Sequence, residues 1–215
     1  MKAEITASIM CADLLNLERD ILALEKAGVD YFHYDLMDGH FVPNMTLGLE
    51  TVCEIQKRVK VRSDIHLLVK QPEDIIPLLD AGAEDLIGFH YSATNNIDKC
   101  LNLIHDMQAN AGIVLDTNDH YELLEPYLDN IDYVTLMMIR PGFAGQPMVD
   151  GMIEKIMETR ITGKIIVVGD NIDTDQIYPG AYLALTDPKE IGSHCLEGVD
   201  KEIASTFPQG GIIAA

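Results

Sequence analysis

The sequence predicts an α/β fold in which parallel strands alternate with helical crossovers. Short β-branched or apolar runs recur at intervals of roughly 20–30 residues over most of the chain. The segments between them carry apolar residues at helical spacings of three and four. Two helix-to-strand joints are nearly the same phrase, Ala27-Gly28-Val29-Asp30 and Ala81-Gly82-Ala83-Glu84-Asp85, with Gly where a left-handed cap would stop a helix. Repeated units of this length build either an open, doubly wound sheet or a closed (β/α)8 barrel.

In chain order, strands are expected to begin near Ala3, Tyr31, Val61, Asp85, Gly112 and Asp132. Helical patterns fall between them at Leu14-Leu17-Ile21-Leu24, Ile75-Ile76-Leu78-Leu79 and Ile97-Leu101-Ile104. After about residue 160 the rhythm changes. Lys164–Val168 reads as one more apolar strand, and Gly169–Asp175 as an acidic turn. Tyr178-Pro179-Gly180, a short stretch Ala181–Leu185, a helical patch Asp187–Cys195 and a last apolar run Gly211–Ala215 follow. By rhythm these make a poor seventh unit and a bare eighth strand.

Composition narrows the function classes. The 215 residues carry 15 Lys+Arg against 35 Asp+Glu, a formal charge of -20. At 47% hydrophobic and 23% charged the chain is an ordinary globular one rather than a disordered one. The acidic balance argues against nucleic acid and against an anionic membrane surface, since no basic stripe exists to displace counterions. No apolar window has the length of a membrane span, and Glu4 and Ser8 interrupt what a secretory leader would keep apolar. Cys11, Cys53, Cys100 and Cys195 form no C-x-x-C pair, so a reduced, cytoplasmic protein is expected. Homo-oligomerisation stays open.

Two constellations could carry chemistry. In Tyr31–His40, residues two apart on a strand face the same way, so His33 and Asp35 project together. Asp64 and His66 repeat that arrangement on the next strand. Polar side chains aimed into a barrel interior are costly unless they pair with one another or bind a metal. Two imidazoles and a carboxylate from neighbouring strand ends suit Zn²⁺, Fe²⁺, Mn²⁺ or Co²⁺ with positions left open for substrate. The second constellation is Arg140–Gln146 after the sixth strand. Its glycines let backbone N–H groups approach a phosphate, at the place where barrels often bind one. His90, ending the fourth strand, either lines the same pocket or is a satisfied rim histidine. His105, His120 and His194 read as surface, and Met37, Met137 and Met138 as core or pocket wall. Asp170, Asp173 and Asp175 lack the Gly and Glu that a calcium loop requires.

Ser8–Leu14, Asp30–Asn44, Asp64–Leu67 and Pro141–Pro147 together resemble the ribulose-phosphate 3-epimerase family, with Met10-Cys11 and Ala144 leaning toward allulose-6-phosphate 3-epimerase. The resemblance covers residues 1–160. It implies a metal-dependent (β/α)8 TIM-type barrel that moves a proton at C3 of a ketose phosphate. It also implies that His33, Asp35 and His66 ligate the metal, with Asp35 doubling as an acid/base. Ser8 would touch the sugar phosphate, Met37 and Met137 would wall the intermediate, and Gly142, Phe143, Ala144 and Gly145 would hold phosphate.

The chain departs from that family at several points. Leu68 replaces a pocket Met, Arg140 an Asn or Asp, Met138 a Thr, and Asp116-Thr117 an Asn-Pro. No Asp-Gly-Gly or Asp-Gly-Ser ends the seventh strand, so Asp170 is the candidate for the second acid/base. Gly169–Ile177, Asp187-Pro188, His194-Cys195 and Gly211–Ala215 instead resemble the opening of the small subunit of 3-isopropylmalate dehydratase, a swivel domain that acts beside an iron–sulfur subunit. The expectation is six family-like βα units over residues 1–160, with a segment over 161–215 replacing units seven and eight. Three functions follow from it: an active epimerase, a hybrid that binds metal or phosphate without turnover, and a lyase-subunit partner.

Overall fold

The computed structural model describes residues 4–153 and 164–165. Among the described residues, seven strands lie in one sheet in the order of the sequence, every neighbouring pair parallel. They are β1 (Thr6–Ser8), β2 (Tyr31–Met37), β3 (Arg62–Leu68), β4 (Leu86–His90), β5 (Asn110–Leu115), β6 (Tyr133–Leu136) and β7 (Lys164–Ile165). Helices α1 (Leu17–Ala27), α2 (Leu49–Gln56), α3 (Pro72–Ile75) and α4 (Ile97–Asp106) and a 3-10 segment, Tyr121–Tyr127, connect the first six. Among the described residues no helix is long and apolar enough to cross a membrane.

The strand starts expected from the sequence fall within a few residues of those observed, and the joint after α1 is the predicted one. Gly28 adopts φ 86° and its N–H donates to the carbonyls of Leu24 and Glu25, so the helix closes on a left-handed residue that tolerates no Cβ cheaply. The second joint differs. Pro77 removes an amide donor from the run and splits it into α3 and a 3-10 turn ending at Leu78. Gly82 consequently caps no helix. Its N–H donates to the Asp85 carboxylate and its carbonyl accepts from the Asp85 amide, forming a tight turn into β4. Leu14, expected on the first helix, precedes it and is exposed.

Side chains alternate strictly across the sheet. One face carries Phe32, Tyr34 and Leu36 from β2, Ile65 and Leu67 from β3, Ile87 and Phe89 from β4, and Ile113 and Leu115 from β5. These pack on Ile21 of α1, Val52 and Ile55 of α2, and Ile97, Cys100, Leu101 and Ile104 of α4. Burying each such aliphatic or aromatic side chain contributes about 1.5–3 kcal/mol, so this layer supplies most of the driving force for folding.

On the other face the apolar residues form small separate clusters. Tyr31, Leu86 and Tyr133 fill its N-terminal end. A Cβ on Gly112 would lie 2.2 Å from the Tyr133 ring, and one on Gly88 would lie 2.9 Å from its hydroxyl. The two glycines make the slot in which that ring sits, a packing role that periodicity does not reveal. Met37, Val42 and Leu68 form one cluster at the C-terminal ends, and Val114, Met137 and Ile139 another. Between these floors and walls lie the polar residues of the site.

Candidate active site and metal centre

Parallel register brings the polar pairs of β2 and β3 side by side, with His33 opposite Asp64 and Asp35 opposite His66. All four are buried. His33 Nδ1 lies 2.8 Å from Asp64 Oδ2, and its Nε2 lies 3.2 Å from Asp35 Oδ1. His66 Nδ1 reaches the same Asp35 oxygen at 3.2 Å. The Ser8 hydroxyl, at the end of β1, donates to the other Asp35 oxygen at 3.1 Å. Thr46 donates its hydroxyl to the Asp35 carbonyl and so ties the strand end to the following loop.

Each of His33, Asp35 and His66 offers an atom to a group spanning no more than 4.8 Å. Those residues fit a divalent cation in chemical type as well as in spacing. Two nitrogens and a carboxylate converge, and Asp64 accepts from the far nitrogen of His33, the outer hydrogen bond that orients a ligating imidazole. Burial disfavours a charged His33, yet the carboxylates of Asp35 and Asp64 outweigh it and raise its pKa well above the ordinary value. A proton there and a cation compete for one lone pair. Burial also opposes ionisation of Asp35, but the contacts with His33 and His66 prevail and hold its carboxyl well below the usual carboxylate range. His66 is pushed down to about 4, chiefly by burial, and is therefore neutral, as a ligand must be.

The turn after β2 is built by Asp38, the second Asp of the motif. One of its oxygens accepts from the amides of His40 and Phe41, and the other from the amide of Lys70 after β3. Burial of this carboxyl is outweighed by those three backbone donors, which lower its pKa. Asp38 thus joins two loops at the mouth of the site and does not point at its centre.

His90 and Asp116 extend the cluster. His90 is fully buried at the end of β4, and its Nε2 lies 2.8 Å from Nε2 of His66. On its other side, Nδ1 lies 2.9 Å from Asp116 Oδ1, just beyond β5. His90 is thus a buried histidine joined to the cluster through His66. In the sequence Asp116 stands out only as a departure from the family pattern. The two-residue parity that found His33 and Asp35 also leads from Gly88 to His90 and from Gly112 through Val114 to Asp116.

Met37 and Met137 are buried in the two apolar clusters flanking the site, and Met138 sits on the opposite face in the main core. The Gly142–Gly145 loop has φ of 114° at Gly142 and 86° at Gly145. Asn44 donates to the Gly142 carbonyl at 2.7 Å, and Gln146 donates to the carbonyls of Arg140 and Phe143, so the loop is braced against the turn that follows β2. His105 pairs with Asp132 at the surface. Asp170, the other acid/base candidate, lies outside the described residues.

A parallel βα protein with a buried two-histidine, one-carboxylate cluster at the C-terminal ends of its strands is an enzyme-like scaffold with its site where such sheets carry one. Residues 4–175 match the Ribulose-phosphate 3 epimerase family, and the chain belongs to that family. It is 38% identical over 154 residues to ribulose-phosphate 3-epimerase 1 of Cupriavidus necator, covering 71% of this chain and 64% of that protein. It is 33% identical over 157 residues to the Bacillus subtilis ribulose-phosphate 3-epimerase, covering 73% and 72%. The Aquifex aeolicus ribulose-phosphate 3-epimerase is 32% identical over 209 residues, covering 92% and 94%. The chain thus spans less than two thirds of the Cupriavidus relative. The family match runs past residue 160, the boundary expected from the motifs.

Proposed function

We propose that the chain is a metal-dependent 3-epimerase of ketose phosphates. It would interconvert ribulose and xylulose 5-phosphates, or allulose and fructose 6-phosphates, by moving a proton at C3. The observation that carries this reading is the convergence of His33, Asp35 and His66 within 4.8 Å in a chain of the epimerase family. These three residues would hold the cation, which supplies Lewis-acid stabilisation to the negative charge that develops beside the substrate carbonyl. Zn²⁺, Fe²⁺, Mn²⁺ and Co²⁺ all suit that donor set.

The chain's own residues do the rest. Asp35, ionised and oriented by Ser8, takes the C3 proton from one face and leaves an enediolate. Return of a proton to the opposite face needs a second acid, and Asp170 is the candidate. Met37 and Met137 exclude water from the planar intermediate, with Ser8 beside them to contact the sugar. The loop Gly142–Gly145 receives the phosphate. Pairing of Lys164–Ile165 with Tyr133–Val134 supports a seventh strand at those two residues, beside the 1–160 portion. The protein would work in the cytoplasm on a small sugar phosphate.

Incubating the Zn²⁺- or Mn²⁺-loaded protein with each sugar phosphate in D₂O tests the reading. Deuterium is expected at C3, with exchange in Asp35→Asn lower by about 10²–10⁴-fold. Absence of exchange on both substrates in a protein that holds its metal would favour the hybrid that binds without turnover. Capture of an isopropylmalate dehydratase large subunit, without exchange, would favour the lyase-partner reading of residues 161–215.

A further inference from the structure

We propose that Arg140 is the specificity-determining residue by which the site selects a phosphorylated sugar, its guanidinium pairing with the phosphate dianion that the Gly142–Gly145 backbone receives. The inference deepens the reading of that loop above and rests on it. Charge singles the residue out first. The other three described arginines, Arg19, Arg58 and Arg62, all lie within ion-pairing distance of carboxylates. Arg140 is exposed and makes no such pair among the described residues, in a chain whose formal charge is -20. A guanidinium left unpaired amid so many carboxylates, just beyond the C-terminal end of β6, is available to an anionic ligand where such sheets bind one.

The loop that follows it is arranged to receive negative charge. Its carbonyls are already engaged. One nitrogen of Gln146 donates to the carbonyls of both Arg140 and Phe143, at 2.7 and 2.8 Å, and Asn44 donates to that of Gly142. The shared nitrogen fixes the backbone of residue 140 directly beside the loop. The amides of Gly142, Ala144 and Gly145 have no acceptor among the described residues. Gly142 is buried as well, and a buried amide is costly unless a ligand or a water accepts from it. A Cβ on Gly142, whose φ is 114°, would lie 3.1 Å from Val42, so no side chain can stand over this part of the backbone. Acceptors tied back and donors unused are what an anion requires.

Amides and guanidinium play different parts. Backbone N–H groups donate to any oxygen, a sugar hydroxyl included. A guanidinium gains most from a dianion, to which it makes two parallel charge-assisted hydrogen bonds. Arg140 therefore contributes little to a sugar without phosphate and much to one that bears it. The phosphate keeps its charge while the proton at C3 moves, so this contact is uniform along the reaction and governs KM rather than kcat. The family resemblance carries Asn or Asp at residue 140, so the cation is this chain's own.

Calorimetric titration with inorganic phosphate, and C3 exchange kinetics on ribulose 5-phosphate and on unphosphorylated ribulose, test this on the full chain. Arg140→Gln should weaken phosphate binding and raise KM for the sugar phosphate by about 10–100-fold, with kcat within about twofold. Arg140→Lys keeps the charge without the planar fork and should lose less, about 3–10-fold. On unphosphorylated ribulose, kcat/KM should be the same in the parent and Arg140→Gln to within about twofold. Lys26→Gln removes an equal charge from the last turn of α1, at the other end of the sheet, and should change phosphate binding by less than about twofold. Phosphate binding by Arg140→Gln as tight as the parent's overturns the inference. Equal losses in Lys26→Gln overturn it too, since net charge would then explain the effect. A parent that binds no phosphate sinks the loop reading along with it, whereas one that exchanges the C3 proton with a KM unmoved by Arg140→Gln sinks this inference alone.

Discussion

The two faces of the same strands obey opposite rules. On the helix-facing side, β2 to β6 present a mainly apolar layer to α1, α2 and α4, with Ser63 of β3 held by Gln56 of α2. On the inner side the same strands present His33, Asp35, Asp64, His66, His90 and Thr135, with Asp116 at the rim and small apolar clusters around Tyr31, Met37 and Val114. Apolar burial is concentrated on the first face and titratable groups on the second. Because consecutive residues of one strand serve the two faces, a substitution one position along a strand should change a different property altogether.

Ile113 and Gly112 put that to the test on neighbouring positions of β5. Ile113 is fully buried in the helix-facing core, so Ile113→Ala should cost about 2–5 kcal/mol of unfolding free energy through lost burial and the cavity left behind. Zinc affinity of the protein that remains folded should stay within about twofold. A large loss of affinity at small cost in stability, seen by denaturant melts and zinc titration, would break the division between the faces. Gly112→Ala makes the opposite error, adding a methyl where the Tyr133 ring already lies. Overpacking of about 1–3 kcal/mol is expected. Pairing Gly112→Ala with Tyr133→Leu should recover part of it, because the two groups contest one volume. Additive losses in the double variant would place the strain elsewhere.

How legible each face was in the sequence follows from the same contrast. The apolar face shows itself through periodicity, and the strand starts follow from it to within a few residues. His33, Asp35 and His66 were legible because polar residues two apart on adjacent apolar strands violate that periodicity twice. His90 and Asp116 were harder to see. Gly88 and Gly112 give them no polar partner within their own strands, and their link to His66 exists only across strands, through register. The break in the third helix was readable in Pro77, but its apolar spacing concealed it and made Gly82 look like a cap. Tyr133 in its glycine slot left no pattern, since two glycines in separate strands acquire meaning only when a ring from a third lies over them.

The smallest expected effect lies at the one polar atom that the helix-facing layer of β2 carries. Tyr34 is fully buried there, its hydroxyl makes no hydrogen bond among the described residues, and burial raises its pKa above that of an ordinary tyrosine. A buried hydroxyl without a partner has lost its water and received nothing in return, so removing it should cost nothing. Tyr34→Phe keeps the ring and its edge-to-face contact with Phe32, whose centroid is 6.5 Å away. It should stabilise the protein by about 1 kcal/mol in urea unfolding, with C3 exchange and zinc binding unchanged. On the opposite face of the adjoining strand end, Ser8→Ala also removes a single hydroxyl, but one that donates to Asp35, so there the change should lower exchange and leave stability nearly as it was. Destabilisation by Tyr34→Phe would mean that this oxygen has a partner in solution, and that the helix-facing layer is less purely apolar than its packing indicates.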